Sequence, residues 1–473
     1  MAASEPSAAS SARPLVVVLG GGMAGLAAAE TLADSGRSRV VLVEPTGRPG
    51  GVLDTVRRDG WLVERSADNF LAARPEGLAL CERLGLSSSL IGVDPAVRRA
   101  LVFHRGRTVP APAGFRLLAP GDVAGVLASP LLSPLGKARV LAERFVPRRR
   151  TAGDEPLEEF AVRRLGREAF ERLVQPLVAG IWTADPARLS MAAACPEFVA
   201  LERDAGSLTA GERARLRAAG RRAAATGARY GQFVALADGM GTLPRVLAER
   251  LTSLGVEFRT AAARSIARAD GGWLVGLDHG EPLRAAGVVI ATRAPVAAGL
   301  LAGVDRPLAD ALGAIEYAGS AVVSLGYARA DIVHPLDAAG VVIPRTAGRK
   351  ILAVSFSSAK YPGRAPAGHA LVRVFVGGAL DPATPLLPDG PLVDLVRAEI
   401  ADVIGARGTP VLVQIDRWTG AMPQYHIGHL DRVALIRGRL AALPGLAVAG
   451  AAYEGVGIPQ VIASGQAAAR AVA

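Results

Sequence analysis

Cysteine and histidine are scarce in this sequence of 473 residues. The two cysteines, Cys81 and Cys195, lie far apart and form no C-x-x-C pair, which excludes a disulfide framework and a thiolate metal site. We expect two free, buried thiols. Among the six histidines, His426 and His429 lie about one helical turn apart but have no further ligand residues in a suitable spacing, so we predict no metal site.

Aromatic residues make up 4% of the chain, and basic residues outnumber acidic ones to give a net charge of +11. A basic surface favours anionic partners. The arginines are scattered, however, and no set of stacking aromatic residues accompanies them. We therefore expect no nucleic-acid partner, which leaves an acidic lipid or a carboxylate-rich ligand as candidates.

Long hydrophobic runs are also missing, although half of the residues are hydrophobic. The nearest to a membrane-spanning run, Ala285–Val304, is interrupted by Arg293, so we predict no transmembrane helix. The first 13 residues are small and polar and lack the apolar segment of a signal peptide. Residues 1–13 are predicted to form a disordered tail, and we expect a cytoplasmic protein.

The stretch from Pro110 to Pro147 is rich in leucine and poor in acidic residues before Glu143. Seven of its apolar residues are candidates for one surface: Leu117, Leu118, Val126, Leu127, Leu131, Leu132 and Leu135. Such a surface, flanked by arginines, suits peripheral contact with a membrane or the wall of an apolar tunnel. The alternative is a helical subdomain packed on itself, and the hydrophobic pattern does not choose between them.

A glycine-rich turn near the N-terminus is the strongest local signal. The apolar run Val16–Leu19 is typical of a strand in a parallel sheet, and Gly20, Gly22 and Gly25 follow it in G-x-G-x-x-G spacing. The first glycine permits a tight turn, the second lets the backbone approach a pyrophosphate, and the third lets helix pack on strand. Leu26–Ala33 continues as a helix whose N-terminus would face the phosphates.

An acidic residue after the second strand indicates which class of dinucleotide the site prefers. The second apolar run, Val40–Val43, is followed by Glu44, 19 residues after Gly25. A carboxylate there accepts a hydrogen bond from a ribose 2′-OH and repels a 2′-phosphate, so FAD or NAD is favoured over NADP. With Arg48 and Gly50–Gly51 the pattern extends to E-x-x-x-R-x-G-G, which resembles the start of the amine-oxidase-like FAD proteins.

The remaining patterns predict an α/β fold with a second, mixed or antiparallel sheet. Its strands are predicted at Val322–Tyr327, Val341–Ile343, Ile351–Phe356 and Leu371–Val376. In the third of these, Leu352, Val354 and Phe356 share a face by the two-residue period. A closing strand at Leu446–Ala449 and a helix over Ile458–Val472 would return the chain to the nucleotide-binding sheet.

These elements predict three domains, two of them discontinuous. Residues 14–74, 232–296 and 440–473 form a Rossmann-like FAD-binding domain. Residues 75–110 and 297–439 form a substrate-binding domain, and residues 111–231 form an all-helical subdomain.

Five sequence blocks carry a closer resemblance. They are, in chain order, GGGMAG with E-x-x-x-R-x-G-G, SADNFL, LGREAFERLVQPLVAGIWTADPARLSM, MPQYHIGHLDR and AGAAYEGVGIPQVIASG. The chain resembles the oxygen-dependent porphyrinogen oxidases, flavoproteins of haem biosynthesis that oxidise protoporphyrinogen IX or coproporphyrinogen III.

The resemblance implies bound FAD, a porphyrinogen substrate and O2 as oxidant. Six electrons would leave the substrate in three hydride transfers to flavin N5. Because the flavin supplies the chemistry, no catalytic side chain is implied. Hand-over of the product to the next enzyme of the haem pathway is compatible with this role.

Carried over residue by residue, the resemblance assigns the pyrophosphate to the glycine turn, the ribose to Glu44 and adenine to Ala263. The implied FAD contacts are Gly20, Gly21, Gly22, Met23, Ala24, Gly25, Glu44, Arg48, Gly50, Gly51, Val52, Ala67, Asp68, Asn69, Ala263, Gly450, Val456, Gly457 and Ile458. For Asp68, a simple turn cap is an equal alternative. A covalent flavin would need a cysteine near the C-terminus, and none follows Cys195, so we expect non-covalent FAD.

The implied substrate contacts are Arg99, Gly180, Val342, Leu352 and Phe375. The family clamps the macrocycle between apolar side chains, although such residues also suit an ordinary strand core. The family has an arginine that binds a propionate, and its position here is Ala100. Either the strand is shifted by one residue and Arg99 serves, or another arginine such as Arg74 does, because guanidinium fits carboxylate bidentately.

Two other functions stay open. One is a different oxidase or desaturase of the amine-oxidase superfamily, against which the third and fourth blocks argue. The other is a non-catalytic flavin-fold scaffold protein, to which the displaced arginine gives some room. Between the two porphyrinogens, the net charge of +11 slightly favours coproporphyrinogen III, which carries two more carboxylates.

Overall fold

The computed structural model describes residues 13–149, 153–226 and 233–473. Except for Arg13, the tail predicted over residues 1–13 lies outside the described residues, and so does the predicted domain boundary at residues 231–232. Within the described ranges the chain has the α/β fold with two large sheets that the sequence predicts.

A parallel sheet organises the first part of the structure. Its five described strands are, in spatial order, Glu257–Arg259, Arg39–Val43, Leu15–Leu19, Gly287–Ile290 and Leu446–Val448. Alternate residues enter two cores, because Val16 and Val18 pack on one face while Val17 and Leu19 pack on the other. Burial of both faces explains why these strands are unbroken apolar runs.

Two helices pack closely together on the first face of this sheet. They are Met23–Asp34, which follows the glycine turn, and Ile458–Val472 at the C-terminus. Small residues allow the approach, since a Cβ atom on Gly465 would lie 2.1 Å from the carbonyl oxygen of Ala24. Both helices are predicted from the sequence, and the return of the C-terminus to the nucleotide-binding sheet is confirmed.

The segment after residue 74 packs on the same face. Leu80 and Cys81 of the helix Pro75–Arg83 lie in the first core. The strand Leu90–Gly92 pairs with Phe233–Leu236, which also pairs with Phe70–Leu71. The substrate domain is predicted to begin at residue 75, and in the structure residues of the segment 75–92 pack on the core beside the parallel sheet.

The second face of the parallel sheet is covered by an antiparallel meander. Its strands are Ala263–Ala269, Gly272–Leu277 and Leu283–Ala285. Trp273 anchors the meander: its side chain is buried, and its indole N–H donates to the carbonyl oxygen of Pro444 at 3.2 Å.

The second large sheet has seven strands in the part of the chain that the structure describes. In spatial order they are Leu412–Pro423, Tyr317–Ala328, His369–Gly377, Ile351–Phe356, Gly340–Val342, Ala100–His104 and Arg107–Pro110. Neighbouring strands are antiparallel except Gly340–Val342 and Ala100–His104, which pair in parallel. The sheet is mixed, as predicted, and the long edge strand Leu412–Pro423 is an element that the sequence did not predict.

A register irregularity between Ile351 and Ala353 changes which side chains share a face. Ile351, Val354 and Phe356 are buried in the core of the large sheet, whereas Leu352 is half-buried outside that core. The prediction that Leu352 shares a face with Val354 and Phe356 is therefore wrong. The extra residue of a bulge breaks the two-residue alternation on which that prediction depends.

A separate helical core explains most of the leucine-rich stretch. Leu118, Val126, Leu131 and Leu132 are buried in it. Leu135, by contrast, is 83% exposed and Leu127 is 51% exposed. Most of the predicted apolar surface is therefore the inside of a helical subdomain that packs on itself.

A buried carboxylate holds two of these helices together. Glu143 accepts hydrogen bonds from Ser207 Oγ at 2.7 Å and from Leu208 N at 2.8 Å, at the start of the helix Leu208–Thr226. It is also ion-paired with Arg164, and both side chains are fully buried. The carboxylate thus neutralises a buried cation and satisfies free N–H groups at a helix N-terminus.

Two short hairpins and the helices complete the fold. The hairpins are Thr55–Arg58 with Trp61–Glu64, and Phe115–Arg116 with Ala119–Pro120. The helices are Met23–Asp34, Pro75–Arg83, Val123–Ala128, Pro134–Leu141, Leu157–Leu165, Arg167–Ala169, the π-helix Phe170–Val174, Gln175–Trp182, Met191–Ala194, Pro196–Ala205, Leu208–Thr226, Thr242–Ser253, Ala294–Leu301, Arg306–Gly313, Ser357–Lys360, Asp389–Ile404, His429–Ala441 and Ile458–Val472. None of the helices in the described ranges is both long and apolar enough to cross a bilayer.

Candidate functional site

The three glycines of the motif have three different surroundings. Gly20 has φ +104°, and a Cβ atom there would lie 2.8 Å from the carbonyl oxygen of Ala291. A Cβ atom on Gly25 would lie 1.9 Å from the carbonyl oxygen of Gly20. A Cβ atom on Gly22 would have no neighbouring atom within 4 Å. Gly20 makes the turn, Gly25 lets the helix pack against it, and Gly22 leaves free space beside the backbone.

Glu44 is fixed beside this turn. One carboxylate oxygen accepts from the N–H of Gly21 at 2.7 Å, and the other accepts from the N–H and hydroxyl of Thr46 at 3.0 and 2.8 Å. A carboxylate has about four lone-pair positions, so acceptor capacity remains for ribose hydroxyls. The geometry matches the role expected for the acidic residue of a dinucleotide site.

The segment around Arg48 closes over the turn. The Arg48 guanidinium donates to the carbonyl oxygens of Gly51 at 2.5 Å and Leu53 at 3.3 Å. Gly50 has φ +114°, which favours glycine, and its N–H donates to Gly21 O at 2.7 Å. Arg48 therefore shapes the loop that approaches the glycine turn.

A cavity of about 590 Å³ lies between the parallel sheet and the large sheet. The predicted FAD contacts that line it come from four separate segments: Gly22, Met23, Ala24, Gly50, Gly51, Val52, Ala67, Asp68, Asn69, Gly450, Val456, Gly457 and Ile458. The remaining predicted FAD contacts are not among its lining residues: Gly20, Gly21, Gly25, Glu44, Arg48 and Ala263. Glu44 nevertheless bonds to the glycine turn, next to lining residue Gly22, while Ala263 begins the first strand of the meander.

Two helix N-termini converge on this cavity. Met23 and Ala24 open the helix Met23–Asp34, and Gly457 and Ile458 open the C-terminal helix, and all four line the cavity. A helix N-terminus carries a partial positive charge and unpaired N–H groups. The cavity is therefore suited to an anionic or electron-rich ligand at both places.

A buried ion cluster forms one wall. Asp68 is ion-paired with Lys360 and lies 3.4 Å from the Arg373 guanidinium, and it accepts from the Asn69 amide at 2.7 Å. Burial alone would raise the pKa of Asp68, but the nearby cations Lys360 and Arg373 outweigh it and hold the pKa below its usual value. Asp68 is thus an ionised wall residue that makes long-range contacts rather than a simple turn cap.

The predicted substrate residues are only partly brought together. Gly180 and Phe375 line the main cavity. Leu352 lines a second cavity of about 270 Å³, and Val342 packs against the helical core. Arg99 is ion-paired with Asp337 and is not among the lining residues of either cavity. The expectation that Arg99 faces the substrate is not supported by this geometry, because its guanidinium donates to the carbonyl oxygen and the carboxylate of Asp337.

Several lining residues were not predicted from the sequence. They include Ile181, Thr183, Arg293, Tyr317, Val322, Arg373, Trp418 and Met422. The sequence could have indicated Arg373, since it is a single charged residue inside the apolar strand His369–Gly377. No sequence pattern indicates Lys360, which neutralises Asp68, because its role depends on contact between residues 292 positions apart.

The open backbone positions along the cavity suit a flavin cofactor. Gly22 and Gly450 line it, and a Cβ atom built on either of them would meet no protein atom within 4 Å. The space beside these backbones is open to a ligand. Together with the fixed carboxylate of Glu44 and the two helix N-termini, this arrangement suits a pyrophosphate, a ribose and a planar ring.

Comparison with known proteins identifies the family of the chain. Residues 23–473 match the family of flavin-containing amine oxidoreductases. The coproporphyrinogen III oxidase of Bacillus subtilis (strain 168) is 32% identical over 459 residues, covering 96% of both chains. That of Propionibacterium freudenreichii subsp. freudenreichii is 36% identical and covers 94% of this chain and 88% of its own. The chloroplastic protoporphyrinogen oxidase of Nicotiana tabacum is 28% identical, with 94% and 83% covered.

Solved structures show the same relationship. A candidate protoporphyrinogen oxidase from Exiguobacterium sp. 255-15 superposes with a TM-score of 0.84 at 30% identity, covering 97% of this chain and 98% of its own. Reduced UDP-galactopyranose mutase has a TM-score of 0.70 at 18% identity, covering 96% and 94%, which shows a shared fold. The chain belongs to the flavin-containing amine oxidoreductase family and, within it, to the group of porphyrinogen oxidases.

Proposed function

We propose that this protein binds FAD non-covalently and oxidises coproporphyrinogen III to the porphyrin with O2. Relatives named coproporphyrinogen III oxidase match nearly the whole chain at 30–36% identity. The single observation that supports the proposal best is the main cavity, which combines a dinucleotide-binding wall with an apolar wall that includes Ile181 and Phe375.

The described residues suggest how the cofactor is held. The turn at Gly22 would accept the pyrophosphate, Glu44 the ribose, and the segments around Asp68 and Gly457 would enclose the ring. When bound, the flavin supplies the redox chemistry by accepting hydride from the macrocycle and passing electrons to O2. The buried Asp68–Lys360 pair would keep the SADN segment rigid against that ring.

The electrostatics of the cavity support a reaction without a protein base. Its titratable lining residues in the described ranges are Asp68, Arg293, Tyr317 and Arg373. The pKa of Asp68 is lowered, and burial raises the pKa of Tyr317, so neither changes its protonation near neutral pH. The chain's task is then to orient the macrocycle and exclude water, which suits hydride transfer.

We also propose the division into an FAD-binding domain, a substrate-binding domain and a helical subdomain. The three FAD segments, 14–74, 232–296 and 440–473, are supported by the parallel sheet, whose strands all come from them. Residues 75–92 join this domain because they pack on its core. The substrate domain then starts near Ala100, where the large sheet begins.

Peripheral membrane contact is proposed through exposed apolar residues of the helical subdomain. Leu127, Leu135 and Phe145 are 51%, 83% and 72% exposed, and Lys137 and Arg144 lie beside them in the chain. Apolar tips flanked by cations suit an anionic membrane surface. Sedimentation with phosphatidylglycerol vesicles should be lost in a Leu135→Ser/Phe145→Ser variant, and equal sedimentation of variant and wild type would refute the contact.

Anaerobic mixing with each porphyrinogen tests the main proposal. Coproporphyrinogen III should bleach the bound flavin rapidly, and admitting air should restore the flavin and produce porphyrin fluorescence. Flavin that neither porphyrinogen bleaches would overturn the proposal and favour a non-catalytic scaffold. Faster bleaching by protoporphyrinogen IX would reverse the choice of substrate.

A matched variant links the result to the cavity. Gly180→Val adds a side chain that meets no protein atom within 4 Å at its Cβ position, so the protein should fold and retain FAD. The added side chain intrudes into the cavity on the apolar side. We expect turnover to fall at least about tenfold, since misplacement of a reacting group by about 1 Å has effects of that order or larger.

A further inference from the structure

The second cavity adjoins the main one at the end of a helix. Thr183 lines both cavities, while Gly180 lines the main cavity and Ala179 lines the second. Gly377 and Leu352 continue the second cavity along the large sheet. The two cavities are therefore neighbours that share Thr183 as a lining residue.

The second cavity has an apolar floor and a cationic rim. Its apolar lining residues include Ile343, Leu352 and Leu380. The cations, Arg345, Arg349 and Lys350, all follow the strand Gly340–Val342 in one loop. This combination suits an amphipathic ligand with an apolar body and an anionic arm.

Two of these three cations are already neutralised. Arg349 lies 2.6 Å from Asp402 and 3.3 Å from Glu399. Lys350 lies 3.3 Å from Asp381. Their charges are therefore balanced by the protein's own carboxylates, and the two cations contribute little net attraction for an anionic ligand.

Arg345 differs from both neighbours. Within residues 13–149, 153–226 and 233–473, no carboxylate lies within 4 Å of its guanidinium and no group accepts a hydrogen bond from it. Its side chain is exposed at the mouth of the cavity. An unpaired guanidinium at the rim of an otherwise neutralised cavity is a ready binding group for a carboxylate.

The backbone of Arg345 is held in place by a buried side chain. The N–H of Arg345 donates to the amide oxygen of Gln175 at 2.9 Å, and Gln175 is 8% exposed. Gln175 directly follows the π-helix Phe170–Val174. Such wide turns occur often at functional sites, because they redirect the side chains that follow them.

We propose that Arg345 binds a propionate carboxylate of the tetrapyrrole and so takes the role that the sequence resemblance gives to an arginine near position 99. The inference rests on the proposed function, since it names the residue that recognises the substrate's carboxylate arm. Arg345 would hold the macrocycle against the apolar floor while the reacting carbon lies in the main cavity.

The first test measures binding of the stable product, coproporphyrin III, to the oxidised holoprotein by fluorescence quenching. Arg345→Gln should weaken binding at least about tenfold, because a charge-assisted hydrogen bond is worth about 1.5–3 kcal/mol. Arg345→Lys should recover part of the affinity. The tetramethyl ester of coproporphyrin, which carries no anionic arm, should bind wild type and Arg345→Gln equally.

A matched control excludes a general effect of charge. Arg284 is an exposed arginine on the meander strand Leu283–Ala285, and it is not a lining residue of either cavity. Arg284→Gln changes the net charge by the same amount and should leave the affinity unchanged. Equal loss of affinity in Arg284→Gln and Arg345→Gln would overturn the assignment, and so would unchanged affinity in Arg345→Gln.

Steady-state kinetics separate this inference from the proposed function. If wild type oxidises coproporphyrinogen III, Arg345→Gln should raise KM with little change in kcat, as expected for a binding contact. If wild type is active and Arg345→Gln has an unchanged KM, the assignment of Arg345 is refuted while the proposed function stands. If wild type oxidises neither porphyrinogen, the proposed function fails, and the product-binding test still decides whether Arg345 recognises the carboxylate.

Discussion

The Cβ position of Gly25 lies 1.9 Å from the carbonyl oxygen of Gly20, which leaves no room for a side chain. Gly22, in the same motif, has no atom within 4 Å of its Cβ position and lines the main cavity. One position thus serves the packing of helix on strand, and the other serves the approach of a ligand.

We predict that alanine substitutions separate these two roles. Gly22→Ala should fold with an unchanged far-UV circular dichroism spectrum but bind FAD at least about tenfold more weakly, since the methyl group fills the space beside the pyrophosphate. Gly25→Ala should yield little folded protein, because its methyl group would overlap the Gly20 carbonyl. FAD titration of the apoprotein and thermal melts measure the two effects. FAD affinity of Gly22→Ala equal to that of wild type would contradict this assignment.

A second prediction concerns the buried Asp68–Lys360 pair. Asp68→Asn leaves Lys360 and Arg373 buried without their counter-charge, so the free energy of unfolding should fall by about 3–5 kcal/mol at pH 7. The loss should shrink as the pH falls through the lowered pKa of Asp68, because wild type then loses the same charge. Urea unfolding of wild type and Asp68→Asn at several pH values measures this loss of stability.

Two variants test the origin of that effect. Asp59 pairs with Arg58 at the surface with 82% of its side chain exposed, so Asp59→Asn should change stability by less than about 1 kcal/mol. Adding Lys360→Met to Asp68→Asn removes one unpaired cation and should recover part of the lost stability. If the double variant is no more stable than Asp68→Asn, the ion pair is not the cause.

The sequence predicted the parts of the site that depend on local chain geometry. Motif spacing predicts the glycine turn and the acidic residue Glu44, because each acts through its own neighbours in the chain. The segment around Gly457 is predicted from the family resemblance. The binding roles of all three stay predictions. The opening and closing helices are likewise confirmed, because each has a long apolar pattern that matches one face of the sheet.

The missed parts depend on contacts that local patterns do not encode. Lys360 and Arg373 reach Asp68 across some 300 residues. Leu352 lies outside the predicted face because of a bulge, and a two-residue pattern does not reveal a bulge. Arg99 was expected to bind substrate, but Asp337, 238 residues away, occupies its guanidinium.

A third prediction concerns His429, which is fully buried and stacked on Tyr425 with ring centroids 3.9 Å apart. Burial lowers the pKa of His429 to about 4. Between pH 6.5 and 4 the unfolded chain therefore binds a proton that the folded protein does not, so stability falls as the pH falls.

His429→Phe keeps an aromatic ring against Tyr425 and removes the titration. Lowering the pH from 7.5 to 5 should destabilise wild type by about 2 kcal/mol more than the variant, since each pKa unit corresponds to about 1.36 kcal/mol. Urea unfolding at both pH values gives the difference, and comparing the two proteins cancels the contributions of His334 and His426, whose pKa values are also lowered. Parallel pH profiles for wild type and His429→Phe would show that His429 is already protonated in the folded state at pH 5 or that its charge is tolerated there.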